Sequence, residues 1–292
     1  MDEEKDVGEK QTNRAALKLL TVPASADGCL LLDFLAGCMG ASRRAAKRAL
    51  DSRSIWVNRR RIWMAHHVLR RGDVVEIPSA ETGARTPACC HLRVLVEVPG
   101  FLFVDKPAGL PVVGEGGVEA LLRAQLASND LRAVHRLDRD TSGVLMMARN
   151  EAAFAAAVSV FRTRRVIKIY HAICAGRVAR RSSTIDVPLD GERAVTHLTV
   201  LTARAETSYV RVRIETGRTH QIRRHLAGVR HPLLGDRQYG LQSARDPRLQ
   251  QVPRQMLHAT DIELPHPLGH GHLRAHSPLP ADFRRCLRLF GL

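Results

Sequence analysis

Residues 78–91, PSAETGARTPACCH, constrain the architecture most, because they mix Pro, Gly and small polar residues with no hydrophobic period. Such a stretch offers neither a helix nor a strand an apolar face, so it divides the 292-residue chain into a short basic unit and a longer remainder. That length has room for two domains. The reading is a flexible tail at 1–26, a small domain at 27–78, a linker at 79–91 and a large domain at 92–292.

The small domain opens with Leu30, Leu31, Phe34 and Leu35 at helical spacing. Ser42 can then cap a second helix that carries Arg43, Arg44, Lys47 and Arg48 outward and Ala46 and Leu50 inward. Ile55–Asn58 and Val74–Ile77 read as short strands. The chain as a whole has 45 Lys and Arg against 29 Asp and Glu, a formal +16. This excess favours a polyanionic partner, since each phosphate neutralised also releases condensed counterions. A charge run is usually a solvated helix face. Here it is of one sign and joined to Arg59, Arg60 and Arg61, which favours RNA contact.

Other classes find little support. Of the six cysteines only Cys89 and Cys90 are close, which makes no zinc pattern. The histidines His266, His270, His272 and His276 lie among Pro and Gly and read as a polar loop and strand, so no metal is expected. The N-terminus is acidic, unlike a signal peptide, and no apolar run reaches the roughly 18 residues of a membrane span. A cytoplasmic protein without a membrane partner is the expectation, and nothing demands more than a monomer.

In the large domain, strand-like runs (Phe101–Val104, Val144–Met147, Val166–Cys174, Thr207–Ile214) alternate with helical ones (Val118–Leu126, Glu151–Phe161, Thr219–Val229). Neighbours are hairpin-like and regular βαβ units are missing, which points to an α+β fold.

The strongest local signal is Val134–Leu145, VHRLDRDTSGVL. An apolar strand follows the charged stretch, which must therefore be a loop at a strand edge, with Arg136 and Arg139 to keep its carboxylates ionised. An ionised, positioned carboxylate can serve as nucleophile or base. On spacing alone, a turn whose Asp and Arg side chains pair with each other reads equally well. A second string, Glu215–His225 (ETGRTHQIRRH), begins where a strand ends. Gly217 makes the turn there, Thr219 can cap a helix buried through Ile222, Leu226 and Val229, and Arg218 stands at the helix entrance, a good place for phosphate. In Lys168-Ile169-Tyr170-His171-Ala172, period-2 geometry puts Lys168 and Tyr170 on one face and Ile167, Ile169 and Ile173 on the other.

These strings resemble the RluA-type RNA pseudouridine synthases. His135–Gly143 matches the family's His-Arg-Leu-Asp-x-x-Thr-Ser-Gly signature, and Phe103–Pro111, Lys168–Ala172, Glu215–Asp236, Leu257-His258-Ala259 and Ser277–Pro280 follow in the family's order. Residues 30–77 resemble the αL-type RNA-binding domain, although Arg53 and Arg59 stand where that family has glycines. The resemblance implies a catalytic domain with a mixed, largely antiparallel sheet flanked by helices and loops, beside a small N-terminal α/β RNA-binding domain. It implies catalysis by Asp138 with Tyr170 and Arg223, Arg223 or Arg218 being the arginine that pairs with the aspartate, while Asp140 is structural. Arg136, Lys168, Arg218 and His220 are then candidate substrate and RNA contacts, together with Arg43, Arg44, Lys47 and Arg48. Thr196-His197 departs from the family, which often has an aromatic after the threonine.

The activity so implied is isomerisation of a uridine in structured RNA to pseudouridine, without cofactor. Large-subunit ribosomal RNA is the favoured substrate and transfer RNA remains possible. Rival readings are a non-catalytic RNA-binding or ribosome-assembly protein and a nucleotide hydrolase using Asp138 with Asp140.

Overall fold

The computed structural model describes residues 17–39, 43, 46–47, 50, 55–58, 60–62, 64–78, 91–163, 165–240 and 246–292. The expectations for Ser42, Arg44, Arg48, Arg53, Arg59, residues 1–16 and residues 79–90 lie outside them. The chain divides into two compact units, Met1–Cys89 and Cys90–Leu292.

In the first unit, β1 (Leu17–Thr21), β2 (Trp56–Val57), β3 (Arg60–Arg61) and β4 (Val74–Pro78) form a sheet in the order β1-β4-β2-β3. Helix α1 (Leu31–Met39) contributes Leu31 and Leu35 to a core shared with Ile55, Leu69 and Val75. Helical residues Ala46 and Leu50 are buried while Arg43 and Lys47 are exposed, the inward and outward faces read from the sequence. From Leu17 on, the tail expected at 1–26 is corrected. Strand β1 pairs antiparallel with β4 from Leu17↔Pro78 to Thr21↔Val74. Five residues are too few to display a period, and this strand owes its form to the partner edge it covers.

The second unit is built on β5 (Arg93–Val98), β6 (Phe101–Lys106), β7 (Arg132–Ala133), β8 (Ser142–Ala148), β9 (Ile167–Ala175), β10 (Ser182–Asp186), β11 (Val195–Ala203), β12 (Thr207–Ile214), β13 (Leu257–Pro265) and β14 (His272–His276). The order is β10-β11-β12-β9-β13-β8-β6-β5, with β14 beside β13 and β7 beside β8. Strands β13 and β8 run parallel, joined through His258↔Ser142 and Ala259↔Gly143, and the other pairings are antiparallel. The fold is α+β on a mixed, largely antiparallel sheet. Every residue of β8 is buried, which explains its unbroken apolar run.

Helices α2 (Val118–Leu126) and α4 (Gln221–Gly228) pack on one face, against Leu145, Met147, Tyr170, Ala172, Val210 and Val212. Helix α3 (Glu151–Arg162) covers the other face at Phe101, Phe103 and Met146. Helix α5 (Ala281–Leu289) covers it at Ile173, through Phe283 and Cys286. Strand β9 thus sends Tyr170 and Ile173 to opposite sides, as its alternation requires.

The reading of Thr219–Val229 needs two corrections. Helix α4 starts at Gln221 and Thr219 does not cap it. The Gln221 side chain instead turns back, its Oε1 accepting from the Arg218 N–H and the Thr216 hydroxyl. Val229 lies past the helix end and is exposed, so the buried stripe is Ile222 and Leu226.

Candidate active site

The string before β8 folds as a loop held from behind by buried cations. Lys106, at the end of β6 and wholly buried, donates from Nζ to the carbonyls of Pro107, Arg139 and Thr141 at 2.9, 2.9 and 2.8 Å. Burial pushes its pKa down to about 7, partly opposed by the charge of Asp140. Arg254 takes the remaining carbonyl, that of Asp140, at 3.1 Å and forms an ion pair with Asp282. Gln255 holds the Thr141 hydroxyl at 2.8 Å. Gly143 then allows the parallel crossing to β13. Its φ is +120°, and a Cβ there would stand 2.1 Å from the Ala259 carbonyl oxygen.

On the open side of this loop Asp138 faces a cleft lined also by Arg136, Tyr170, Gly217, Arg218, His220 and Arg223. Arg223 projects from the first turn of α4 and shares its guanidinium between two carboxylates. Its Nη1 donates to Asp138 Oδ2 at 3.1 Å, while Nε and Nη2 grip Asp236 at 2.7 and 3.0 Å. The Asp236 side chain is completely buried, and its Oδ1 also accepts from the backbone N–H groups of Gln238 and Tyr239. Burial alone would raise the pKa of Asp236, but Arg223 and those N–H groups outweigh it and hold it below the usual carboxylate range. Burial likewise disfavours the Arg223 cation, and the two carboxylates more than restore it.

His220, the N-cap of α4, sits in the left-handed region (φ 55°), which for a residue with a side chain is strained. Its Nδ1 lies 3.1 Å from the Tyr239 hydroxyl and its Nε2 3.8 Å from Asp138 Oδ1. The Tyr239 ring covers the Arg223 guanidinium at 5.0 Å. Tyr170 rises from β9 into the cleft and is 7% exposed, with no hydrogen-bond partner for its hydroxyl among the described residues. Burial, reinforced by the charge of Asp138, pushes its phenol above the ordinary range, so it stays protonated at neutral pH.

Of the two arginines at the helix entrance, Arg223 makes the pair with Asp138. Arg218 lines the cleft but turns to Glu192 and the Arg193 carbonyl. Arg136 is exposed at the cleft mouth. Lys168 is not one of the lining residues. Its Nζ lies 3.5 Å from where a Cβ on the cleft residue Gly217 would be, and burial lowers its pKa to about 8. In the first unit Arg43 pairs with Asp33 at 2.8 Å, and Lys47 is exposed.

Sequence reasoning assigned no role to Lys106, Asp236, Tyr239, Arg254 or Gln255. A lysine closing the apolar run Phe101–Val104 was a visible signal for the first. Arg254 and Gln255 meet the loop from more than a hundred residues away, and Asp236 and Tyr239 lie in a loop without a period to mark them.

The comparisons with known proteins agree with this geometry. Residues 100–228 match the family described as RNA pseudouridylate synthase. The uncharacterized RNA pseudouridine synthase YhcT of Bacillus subtilis (strain 168) is 30% identical over 90% of this chain and 94% of its own length. Ribosomal large subunit pseudouridine synthase D of Pseudomonas aeruginosa is 34% identical over 80% of this chain and 85% of its own. Among solved structures, human RNA Pseudouridylate Synthase Domain Containing 1 superposes with a TM-score of 0.58 at 28% identity, covering 68% of this chain and 88% of that one. The chain belongs to the RluA-type family of RNA pseudouridine synthases.

Proposed function

We propose that Asp138 is the catalytic carboxylate with which this enzyme forms pseudouridine, and that its substrate is large-subunit ribosomal RNA. One observation carries the site assignment: Asp138 and Arg223 meet at 3.1 Å in the cleft that Tyr170 also lines. The target rests on relatives named ribosomal large subunit pseudouridine synthases C and D and on the +16 charge, which suits a large folded polyanion. Transfer RNA is the other candidate substrate. The enzyme acts as a monomer in this reading.

The target uridine leaves its stack, at a cost of a few kcal/mol, to reach the cleft. Exposed Arg136 and the basic surface offset that cost through phosphate contacts. The Tyr170 ring offers a stacking face for the uracil, or its phenol assists loss of the C5 proton. Arg223 pairs with Asp138 at 3.1 Å and aims it. Asp138 then assists cleavage of the N1–C1′ bond, by attack on the sugar or base or by removing a sugar proton. The freed uracil turns and bonds to C1′ through C5, C5 gives up its proton and N1 gains one, so the product has the mass of the substrate.

Mapping pseudouridine across cellular RNA with wild type, without the protein and with Asp138→Asn tests both halves. The expected result is one or a few ribosomal positions lost in the deletion and not restored by the variant. Restoration by Asp138→Asn ends the catalytic assignment. Sites confined to transfer RNA end the ribosomal one.

A further inference from the structure

We infer that His220 reads the ribose 2′-hydroxyl of the target nucleotide and holds it against Asp138, making the site selective for RNA over DNA; this rests on the pseudouridine synthase reading. The two oxygens of Asp138 are treated differently. Oδ2 is taken by Arg223 at 3.1 Å, whereas Oδ1 faces His220 Nε2 across 3.8 Å, too far for a hydrogen bond. Both side chains line the same cleft and are only partly exposed, His220 at 24% and Asp138 at 19%.

The other end of the imidazole is occupied. Nδ1 meets the Tyr239 hydroxyl at 3.1 Å, and Tyr239 is itself anchored through its N–H on Asp236 and its ring over Arg223. The Asp138 carboxylate opposite favours the tautomer that carries its proton on Nε2, with the phenol donating to Nδ1.

The gap therefore presents a donor on one side and an anionic acceptor on the other. A hydroxyl seated at the open edge of this 3.8 Å gap, rather than between the two atoms, satisfies both at once, accepting from Nε2–H and donating to Oδ1. A phosphate, which only accepts, is repelled by Asp138, and the methylene of a deoxyribose leaves both groups unpaired. Substrate geometry puts the right hydroxyl there. The bond to be broken ends at C1′, and the adjacent carbon bears the 2′-hydroxyl, the group by which proteins distinguish RNA from DNA.

The test uses a short RNA around the mapped target uridine. Turnover of the uridine RNA by the full-length wild type is the control for the underlying reading. Two product RNAs, with pseudouridine on ribose or on 2′-deoxyribose at that one nucleotide, then serve as non-reacting competitors. Wild type is expected to bind the ribose competitor about tenfold more tightly, the worth of one lost hydrogen-bonded pair. His220→Asn, whose side chain tolerates a left-handed backbone but falls short of the gap, should weaken the ribose competitor and leave the deoxyribose one within about twofold. Tyr239→Phe should show the same pattern in smaller degree. Equal weakening of both competitors, or no preference in wild type, overturns the inference while leaving the activity standing. Failure of wild type to convert the uridine RNA overturns the reading beneath it.

Discussion

Two sides of one short string behave in opposite ways. From His135 to Asp138, alternate residues part: Arg136 and Asp138 open on the cleft, while Leu137 joins the main core and His135 stacks on Phe161. Behind the loop nearly all hydrogen-bonding capacity is used. Arg254 alone serves Asp282, the Ser142 hydroxyl and the carbonyls of Asp140, Gln255 and Leu257. On the cleft side one oxygen of Asp138 meets, among the described residues, only His220 at 3.8 Å. A saturated polar network fixes a backbone, and an incompletely satisfied one marks where a substrate is to be received.

The sharpest way to break that contrast is a pair of variants. Asp138→Asn should lower turnover by about a thousandfold or more, within the range for loss of a positioned acid–base group or nucleophile, while urea denaturation stays close to wild type. Arg254→Ala should do the reverse. It strands Asp282 and several buried carbonyls, at about 3–5 kcal/mol of stability for a broken buried ion pair. Comparable stability of the Arg254 variant and wild type would show that the loop does not depend on its buried side.

Asp236→Asn asks whether the cleft side has a support of its own. Asp236 occupies two of the three donors of Arg223 that the carboxylates use, so Asp138 receives a single bond. Without that grip the guanidinium can swing to fork Asp138 and cover its open oxygen. Turnover should fall between about ten- and a hundredfold, the scale of a small misplacement, with a smaller change in KM. A pure KM effect would instead make Asp236 part of RNA binding.

What was legible in the sequence follows the same division. Asp138, Tyr170 and Arg223 lie in strings whose residue types repeat a family signature, and their meeting in one cleft was expected. Strand β12 and helix α2 declared themselves through period and came out at their read boundaries, Thr207–Ile214 and Val118–Leu126. The parallel pairing of β8 with β13 was not legible, since it joins Ser142 to His258 across more than a hundred residues and leaves only Gly143 as a trace. Arg254 gave no local signal because the partners that tie it to the loop and to α5, Asp140, Ser142 and Asp282, are remote in sequence. Thr219 misled for a local reason: a threonine before a helical stripe is a good cap, but the helix starts one residue later, after His220, and carries no side-chain cap.

His135 gives the smallest effect, one that vanishes at neutral pH. Its Nε2 accepts from the Met146 N–H at 3.1 Å, and burial, aided by the charge of Lys168, pulls its pKa from 6.5 to about 3. The unfolded chain therefore binds a proton below pH 6.5 that the folded chain refuses until about pH 3. Stability is unaffected by this group above the unfolded value and is lost as pH falls through that window, at up to about 1.4 kcal/mol per pH unit. His135→Gln, which keeps an acceptor but cannot titrate, should flatten that part of the stability profile while leaving its value near pH 7 little changed. Urea melts of both proteins at pH 7, 6, 5 and 4 measure the difference. Parallel profiles would mean that His135 takes up its proton inside the fold, and the buried side of the string would then be less closed than its hydrogen bonds suggest.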